Sequence, residues 1–312
     1  MTDDIIVLIT ETLLGEIRGN MGLVIQITAI AFICAIYRGF GFSGGIGSEI
    51  TRSAFLVEYG LVATLLGTSI VTVSDIAVTT ISRMTDAMNA ATPVLMAMSV
   101  YTGNISQTAS MGAVFLTATQ ITTNLIKSFF LPAAVMIAVM SIVNNFTDKI
   151  NISQFTDLLK NIVIWGLGLV MTIYLAVLSI QSILSVSSDT AMRRTLRFAA
   201  GSMVPFVGQY LSESMDAIGA SAVAMNSIAG TGVMMSIITI TIAPAVKILL
   251  IAGMLKLSAS IIQPVANERI TKCISQTAMA CSLVAGLIIV CAAIFTITIG
   301  AIINTAMRVV GM

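Results

Sequence analysis

The 312-residue sequence contains no histidine and few charged residues, and both shortages limit what it can do. Without histidine, the chain lacks the commonest general base and the commonest neutral metal ligand. Charged residues make up only 9% of the chain, whereas soluble domains carry about 25%. The net charge is only +1, from 15 basic and 14 acidic residues. These shortages exclude a typical soluble domain, exclude nucleic acid as a main partner and weigh against an enzyme.

Motifs for cofactors and metals are also scarce. No GK[ST] sequence, typical of a phosphate-binding loop, occurs anywhere. A GxGxxG pattern at 39–44 follows an apolar run instead of a strand, so we interpret it as a flexible loop. The four cysteines fit no zinc or redox spacing and are interpreted as small core residues: Cys34, Cys273, Cys281 and Cys291. We therefore expect neither a cofactor nor a metal.

Apolar residues are abundant, at 57% of the chain, and the mean hydropathy is +1.02. Such a chain is expected in a lipid bilayer, where only helices and closed barrels satisfy the backbone. We predict an all-α, polytopic membrane bundle that forms a single membrane domain over 1–312. It is expected to make about five to seven crossings and to contain proline-broken or re-entrant segments.

The order of the predicted segments can be followed along the chain. Residues 1–20 start with acidic residues, unlike a signal peptide, and have the helical spacing of an amphipathic interfacial helix. The clearest predicted spans are 21–37, 54–73, 161–185 and 274–301. The shorter apolar runs at 90–101 and 111–126 flank a polar turn, which favours a re-entrant hairpin or a broken helix pair.

The proline spacing suggests a degenerate internal repeat. Pro93 and Pro132 are separated by the same interval as Pro205 and Pro244, with an offset of about 112 residues between the pairs. This offset predicts repeat-like units at 21–131 and 132–243 and a partial third unit at 244–312. Paired broken segments at matching positions are typical of transporters with a central site.

Charged residues inside apolar runs are the candidate functional residues. Lys247 and Lys256 lie two and a half helical turns apart, so they are expected on opposite faces of one helix. At least one should then face protein or water, where Glu58 is a candidate partner. The alternative is that one lysine lies at each end of a short span. All candidates for pore lining, packing or partner contact are Glu58, Lys247, Lys256, Pro205, Pro244, Arg193, Arg194 and Arg197.

The three arginines form the only basic cluster in the sequence, and the positive-inside rule would place that cluster in the cytoplasm. Dense small residues in 201–232 and the scattered methionines are interpreted as packing residues.

Three ordered stretches resemble the stage III sporulation protein AE family, a polytopic membrane family of endospore-forming bacteria. They are DLLKNIVIWGLGLVMTIYLAVLSIQS (157–182), TLRFAAGSMVPFVGQYLSESMDAI (195–218) and APAVKILLIAGMLKLSASIIQP (243–264). The signals are LL-(K/R)-NI, a basic residue followed by F-x-x-G-x-x-x-P-x-x-G, and PA-x-K…KL…QP. The likeness extends over about 20–305.

The resemblance implies a multi-pass component of the channel complex that bridges mother cell and forespore and is needed for late forespore gene expression. It implies ring-forming partners, a cytoplasmic ATPase and a place in the mother-cell membrane. The alternative from the residues is an autonomous secondary transporter with a midplane site at Glu58, Lys247 and Lys256. An intramembrane enzyme is the third and weaker hypothesis, a pure scaffold is hard to separate from the channel component by sequence, and a homo-oligomer stays open.

Overall fold

A computed structural model describes residues 15, 19, 21–36, 47–101, 105–146, 152–203 and 208–307, and no side chains within 47–51, 99–101, 105–111, 113, 181–203, 208–224, 226 and 304–307. The described part is 97% helical and contains no strand. Its elements are α1 (Met21–Ile36), α2 (Gly47–Tyr101), α3 (Ile105–Leu125), a π-helical turn (Ile126–Phe130), α4 (Leu131–Phe146), α5 (Ser153–Met203), α6 (Gly208–Ile262) and α7 (Glu268–Met307).

Among the described residues, five helices are long and apolar enough to cross a membrane. The segments are Arg52–Met98, Val114–Phe146, Ser153–Ile180, Ser227–Ile262 and Glu268–Ile303. The predicted all-α membrane fold is therefore confirmed. Helix α1 is apolar but shorter than these five. Its 16 residues extend about 24 Å, which is less than the thickness of a hydrocarbon core, about 30 Å.

The sequence analysis expected prolines to break the helices, but two helices continue through a proline. Pro93 lies inside α2 and Pro244 inside α6, so the apolar run at 90–101 is the end of α2 and not a separate short piece. A proline inside a membrane helix is tolerated where its neighbours satisfy the freed carbonyl group. Pro132 lies in the first turn of α4, directly after the π-helical turn. Pro205 lies outside the described residues.

The start of α7 shows why the polypeptide forms a new helix at that point. The side-chain Oδ1 of Asn267 accepts a hydrogen bond from the backbone N–H of Arg269 at 3.0 Å, as a helix N-cap does. Glu268 follows in the first turn, where the helix dipole favours an acidic residue. Its carboxylate forms an exposed ion pair with Lys272 at 2.7 Å. Local sequence therefore specifies this boundary.

The chain divides into two compact units. Unit 1 consists of Met1–Thr79, Lys127–Gly166 and Ile242–Ile288. Unit 2 consists of Thr80–Ile126, Leu167–Thr241 and Ile289–Met312. The predicted repeat-like units follow a different division of the sequence, and the repeat stays a prediction.

Helices α5 and α7 differ in how much they contribute to the core. In the most apolar 18-residue window, 56% of the α7 residues are buried, whereas in α5 only 22% are buried. The α7 core residues recur at helical spacing, for example Ile270, Ile274, Leu287 and Phe295. Helix α7 is thus packed on most sides, and α5 presents much of its apolar surface outward.

Candidate functional site: buried polar groups

Buried polar side chains distinguish the two units. In the described part of unit 1 they include a carboxylate, an amide and hydroxyls: Glu58, Ser69, Ser141, Asn145, Ser258 and Thr277. In the described part of unit 2 they are all threonines: Thr80, Thr85, Thr92, Thr119, Thr122, Thr123, Thr241 and Thr298. Among the residues whose side chains are described, each unit also buries one tyrosine, Tyr59 in unit 1 and Tyr174 in unit 2.

In unit 1, polar groups of α2, α4 and α7 meet in what we call the Tyr59 cluster: Tyr59, Asn145, Cys273 and Gln276. The Tyr59 hydroxyl donates a hydrogen bond to the backbone carbonyl of Ile142, and it lies 3.5 Å from the Cys273 sulfur. The Asn145 side chain donates to Gln276 Oε1 at 2.8 Å. These contacts connect three helices through uncharged groups.

Aromatic rings extend the Tyr59 cluster towards one end of unit 1. The Tyr59 ring lies 5.6 Å from that of Phe55 and 5.4 Å from that of Phe146. The Arg269 guanidinium lies 5.7 Å from the centre of the Phe55 ring, which is within cation–π range. Helix α4 ends at Phe146 and α7 begins at Glu268. The aromatic group therefore lies at the end of unit 1 where α4 ends and α7 begins.

Glu58 directly precedes Tyr59 in α2 and is fully buried, with 0% exposure. It lies six residues after Arg52, the first residue of the α2 candidate span, so its carboxyl group is near the same end of unit 1. An ionisable residue within a membrane span is costly and marks a candidate functional site. Glu58 is thus the most deeply buried of the sequence-predicted site residues whose side chains are described, and its functional role stays a prediction.

The two lysines of α6 differ in exposure, as expected for residues on opposite faces. Lys247 is half-buried and Lys256 is exposed. Both belong to unit 1, as Glu58 does. Lys247 is thus the more buried of the two lysines and lies three residues after Pro244. The pairing of Glu58 with either lysine stays a prediction.

Four candidates fall where the structure gives no side-chain information. Arg193, Arg194 and Arg197 belong to α5, but their side chains are outside the described part. Pro205 lies outside the described residues altogether.

The structure adds a charged residue that the sequence reasoning passed over. Lys127 lies in the π-helical turn, inside the candidate span Val114–Phe146, and is half-buried. π-Helical turns are frequent at functional sites. The available signal was a lysine in an apolar run five residues before Pro132.

The described residues contain no group of three or more cysteine, aspartate or glutamate side chains placed to hold a metal ion. The Tyr59 cluster consists of neutral donors and acceptors that are already hydrogen-bonded to one another or to backbone carbonyls. Such a cluster can orient helices and hold neighbouring groups in place. It does not resemble a nucleophile activated by an adjacent base.

In unit 2, hydroxyl groups make the corresponding helix contacts. The Tyr174 hydroxyl of α5 forms a hydrogen bond with the Thr298 hydroxyl of α7. The Thr241 hydroxyl of α6 lies 3.1 Å from the Met84 sulfur of α2. These contacts involve no ionisable carboxylate or amine.

Comparisons with known proteins identify one family. The family model described as stage III sporulation protein AE matches residues 1–306. A curated relative, stage III sporulation protein AE of Bacillus subtilis strain 168, is 29% identical over 228 residues. That alignment covers 73% of this chain and 57% of the relative, so the chain spans little more than half of the relative's length. No solved structure matches.

Proposed function

The chain belongs to the stage III sporulation protein AE family, and we propose that it is a multi-spanning component of a transenvelope channel or export apparatus between mother cell and forespore. The observation that carries this proposal is the family match over residues 1–306 on a chain whose described residues include five helices long and apolar enough to cross a membrane. A sporulation membrane component follows directly, and the channel role is the proposed step.

The proposed role is non-enzymatic. It is supported by the neutral, internally hydrogen-bonded Tyr59 cluster and by a sequence without histidine or a phosphate-binding loop. Energy would then come from a partner. We propose a cytoplasmic ATPase and ring-forming proteins as partners, and the mother-cell membrane facing the forespore as the location.

Deletion of the gene in its sporulating host tests this role. A reporter of late forespore gene expression should be lost while engulfment proceeds, and the full chain supplied in trans should restore the signal. Normal late expression in the deletion strain would contradict the proposal.

Lys247 offers a test that separates a channel component from a passive scaffold. Lys247→Ala should lower the forespore reporter, because Lys247 is half-buried in the protein. Lys256→Ala is the matched control, since Lys256 is exposed on the same helix. Equal reporter signal from both variants, at equal protein levels, would favour a scaffold.

An autonomous secondary transporter is the second candidate. It is favoured by the full burial of Glu58 and the partial burial of Lys247 in the same unit, because intramembrane charge often marks an ion or substrate path. Purified protein in liposomes distinguishes the two candidates. Gradient-driven flux without partners would support the transporter, and flux that requires partners would support the channel component.

A further inference from the structure

Six of the eight buried threonines in the described part of unit 2 fall into two groups by hydrogen bonding. Four donate to the backbone carbonyl one turn earlier in their own helix: Thr85, Thr92, Thr241 and Thr298, at 2.7, 2.6, 2.6 and 2.7 Å. Such a bond satisfies a hydroxyl inside an apolar bundle. Two others, Thr119 and Thr123 of α3, do not follow this rule.

Thr123 is only 2% exposed, and its Oγ1 makes no hydrogen bond to any residue that the structure describes. Thr119 is 1% exposed. Its hydroxyl lies beside that of Tyr174 but does not reach ordinary hydrogen-bond geometry. A buried hydroxyl without a partner costs about 1–3 kcal/mol, and lipid offers no replacement partner.

The two threonines lie on the same face of α3. Thr119 and Thr123 are four residues apart on α3, so they lie on one helical face, one above the other. Thr119 is next to Tyr174, which in turn bonds to Thr298. Since Thr298 donates its own proton to Ile294, the Tyr174 hydroxyl is the donor to Thr298 and keeps its lone pairs free to accept.

We propose that ordered water is bound at this hydroxyl cluster, which consists of Thr119, Thr123, Tyr174 and Thr298. Water donates and accepts, so a molecule on the Thr119–Thr123 face of α3 can satisfy the Thr123 hydroxyl. Buried waters typically make about three hydrogen bonds to otherwise unsatisfied polar groups. The water gives unit 2 a polar interior without a charge, and the inference holds whether or not the chain belongs to a channel.

The infrared S–H stretching band of an introduced cysteine tests this proposal with a matched pair on one helix. Thr123→Cys places a thiol in the cluster, and Ile121→Cys places one on the outer face, where Ile121 is 61% exposed. The two positions differ by about 3 Å along the helix axis. The four native cysteines are buried, and the unmodified full chain in proteoliposomes provides the baseline.

If water occupies the cluster, the S–H band of Thr123→Cys should be replaced by an S–D band when the folded protein is moved into deuterium oxide, since a thiol that donates to water exchanges its proton. Ile121→Cys gives the exchange rate on the outer face. An S–H band of Thr123→Cys that persists until denaturation in dodecyl sulfate would overturn the proposal.

A second variant keeps the proposal testable if Thr123→Cys does not fold. Thr123→Val removes the hydroxyl at nearly constant volume. If the hydroxyl binds water, the thermal midpoint of the variant should fall by about 2 °C. If the hydroxyl is dry and unsatisfied, the midpoint should rise, because valine removes a buried polar group without a partner, and the proposal would be wrong.

Discussion

The two units use different chemistry for the same task of connecting apolar helices. Unit 1 buries a carboxylate and an asparagine and connects α2, α4 and α7 through the Tyr59 cluster. Unit 2 buries threonines and one tyrosine among its described residues and connects its helices through hydroxyls. A buried amide or carboxylate is costly without its partner, whereas a threonine hydroxyl can return to its own helix. Unit 1 should therefore be the less tolerant of substitution.

The largest expected effect comes from close glycine contacts. A Cβ at Gly166 of α5 would lie 2.7 Å from Cε1 of Phe130, and a rigid ring cannot move aside without its helix. Gly166→Ala should lower the free energy of unfolding by about 2–3 kcal/mol, measured by denaturant titration in mixed micelles. In unit 2, Gly112 meets the flexible end of Met96, so Gly112→Ala should cost less.

Gly168 is the control for this comparison, because a Cβ there would have no neighbour within 4 Å. Gly168→Ala should be neutral or stabilising by up to about 1 kcal/mol, since alanine is the better helix former. If Gly166→Ala is as harmless as Gly168→Ala, the close contact of the π-helical turn with α5 in unit 1 is wrong.

The next effect concerns the amide pair of the Tyr59 cluster. Asn145→Leu removes the donor to Gln276 and to the Ser141 carbonyl and should destabilise the protein by about 2 kcal/mol. A double-mutant cycle with Gln276→Leu isolates the pair. A coupling energy near zero would show that the two amides do not depend on each other.

The sequence predicted the helical fold and the family, but it did not predict the contacts of the Tyr59 cluster. The predicted span at 274–301 falls inside α7, because its apolar run and the Asn267–Glu268 start signal are local. The contact of Asn145 with Gln276 joins residues 131 positions apart, and no local pattern specifies such a pairing. The continuation of α2 through Pro93 was also missed, because tertiary contacts decide whether a membrane helix tolerates proline.

The sequence spacing indicates that the two lysines lie on different faces of α6, but it does not indicate which of them is the more buried. The spacing of Lys247 and Lys256 predicted opposite faces, and the structure shows one half-buried and one exposed. Which lysine faces inward depends on how α6 packs in unit 1. The burial of Glu58 depends in the same way on the neighbours of α2.

Tyrosine-to-phenylalanine substitutions should produce a smaller difference between the units. Tyr59→Phe removes a hydroxyl that contacts both Ile142 and Cys273 and should cost about 1 kcal/mol. Tyr174→Phe should cost less, because Thr298 keeps its bond to Ile294. The unfolding titrations of both variants check the order, and the reverse order would contradict the view that unit 1 is less tolerant.

The smallest expected effect on stability lies on the outer surface of unit 1, at Trp165. This is the only tryptophan in the chain, it is 79% exposed, and it lies on α5, the least buried of the five long helices. Trp165→Phe should change the free energy of unfolding by less than about 0.5 kcal/mol, because the side chain has few protein neighbours to lose.

In the unmodified protein, lipids brominated on the acyl chain should quench the fluorescence of Trp165 more strongly than aqueous iodide does. Helix α7 alone is 40 residues long, or about 60 Å, twice the hydrocarbon thickness. A helix of this length must extend beyond the hydrocarbon core, so the depth of Trp165 in the bilayer has to be measured. The position of the bromine that quenches most strongly gives this depth. Stronger quenching by iodide would place this face in water and would reassign the outward apolar surface of α5 to a protein partner.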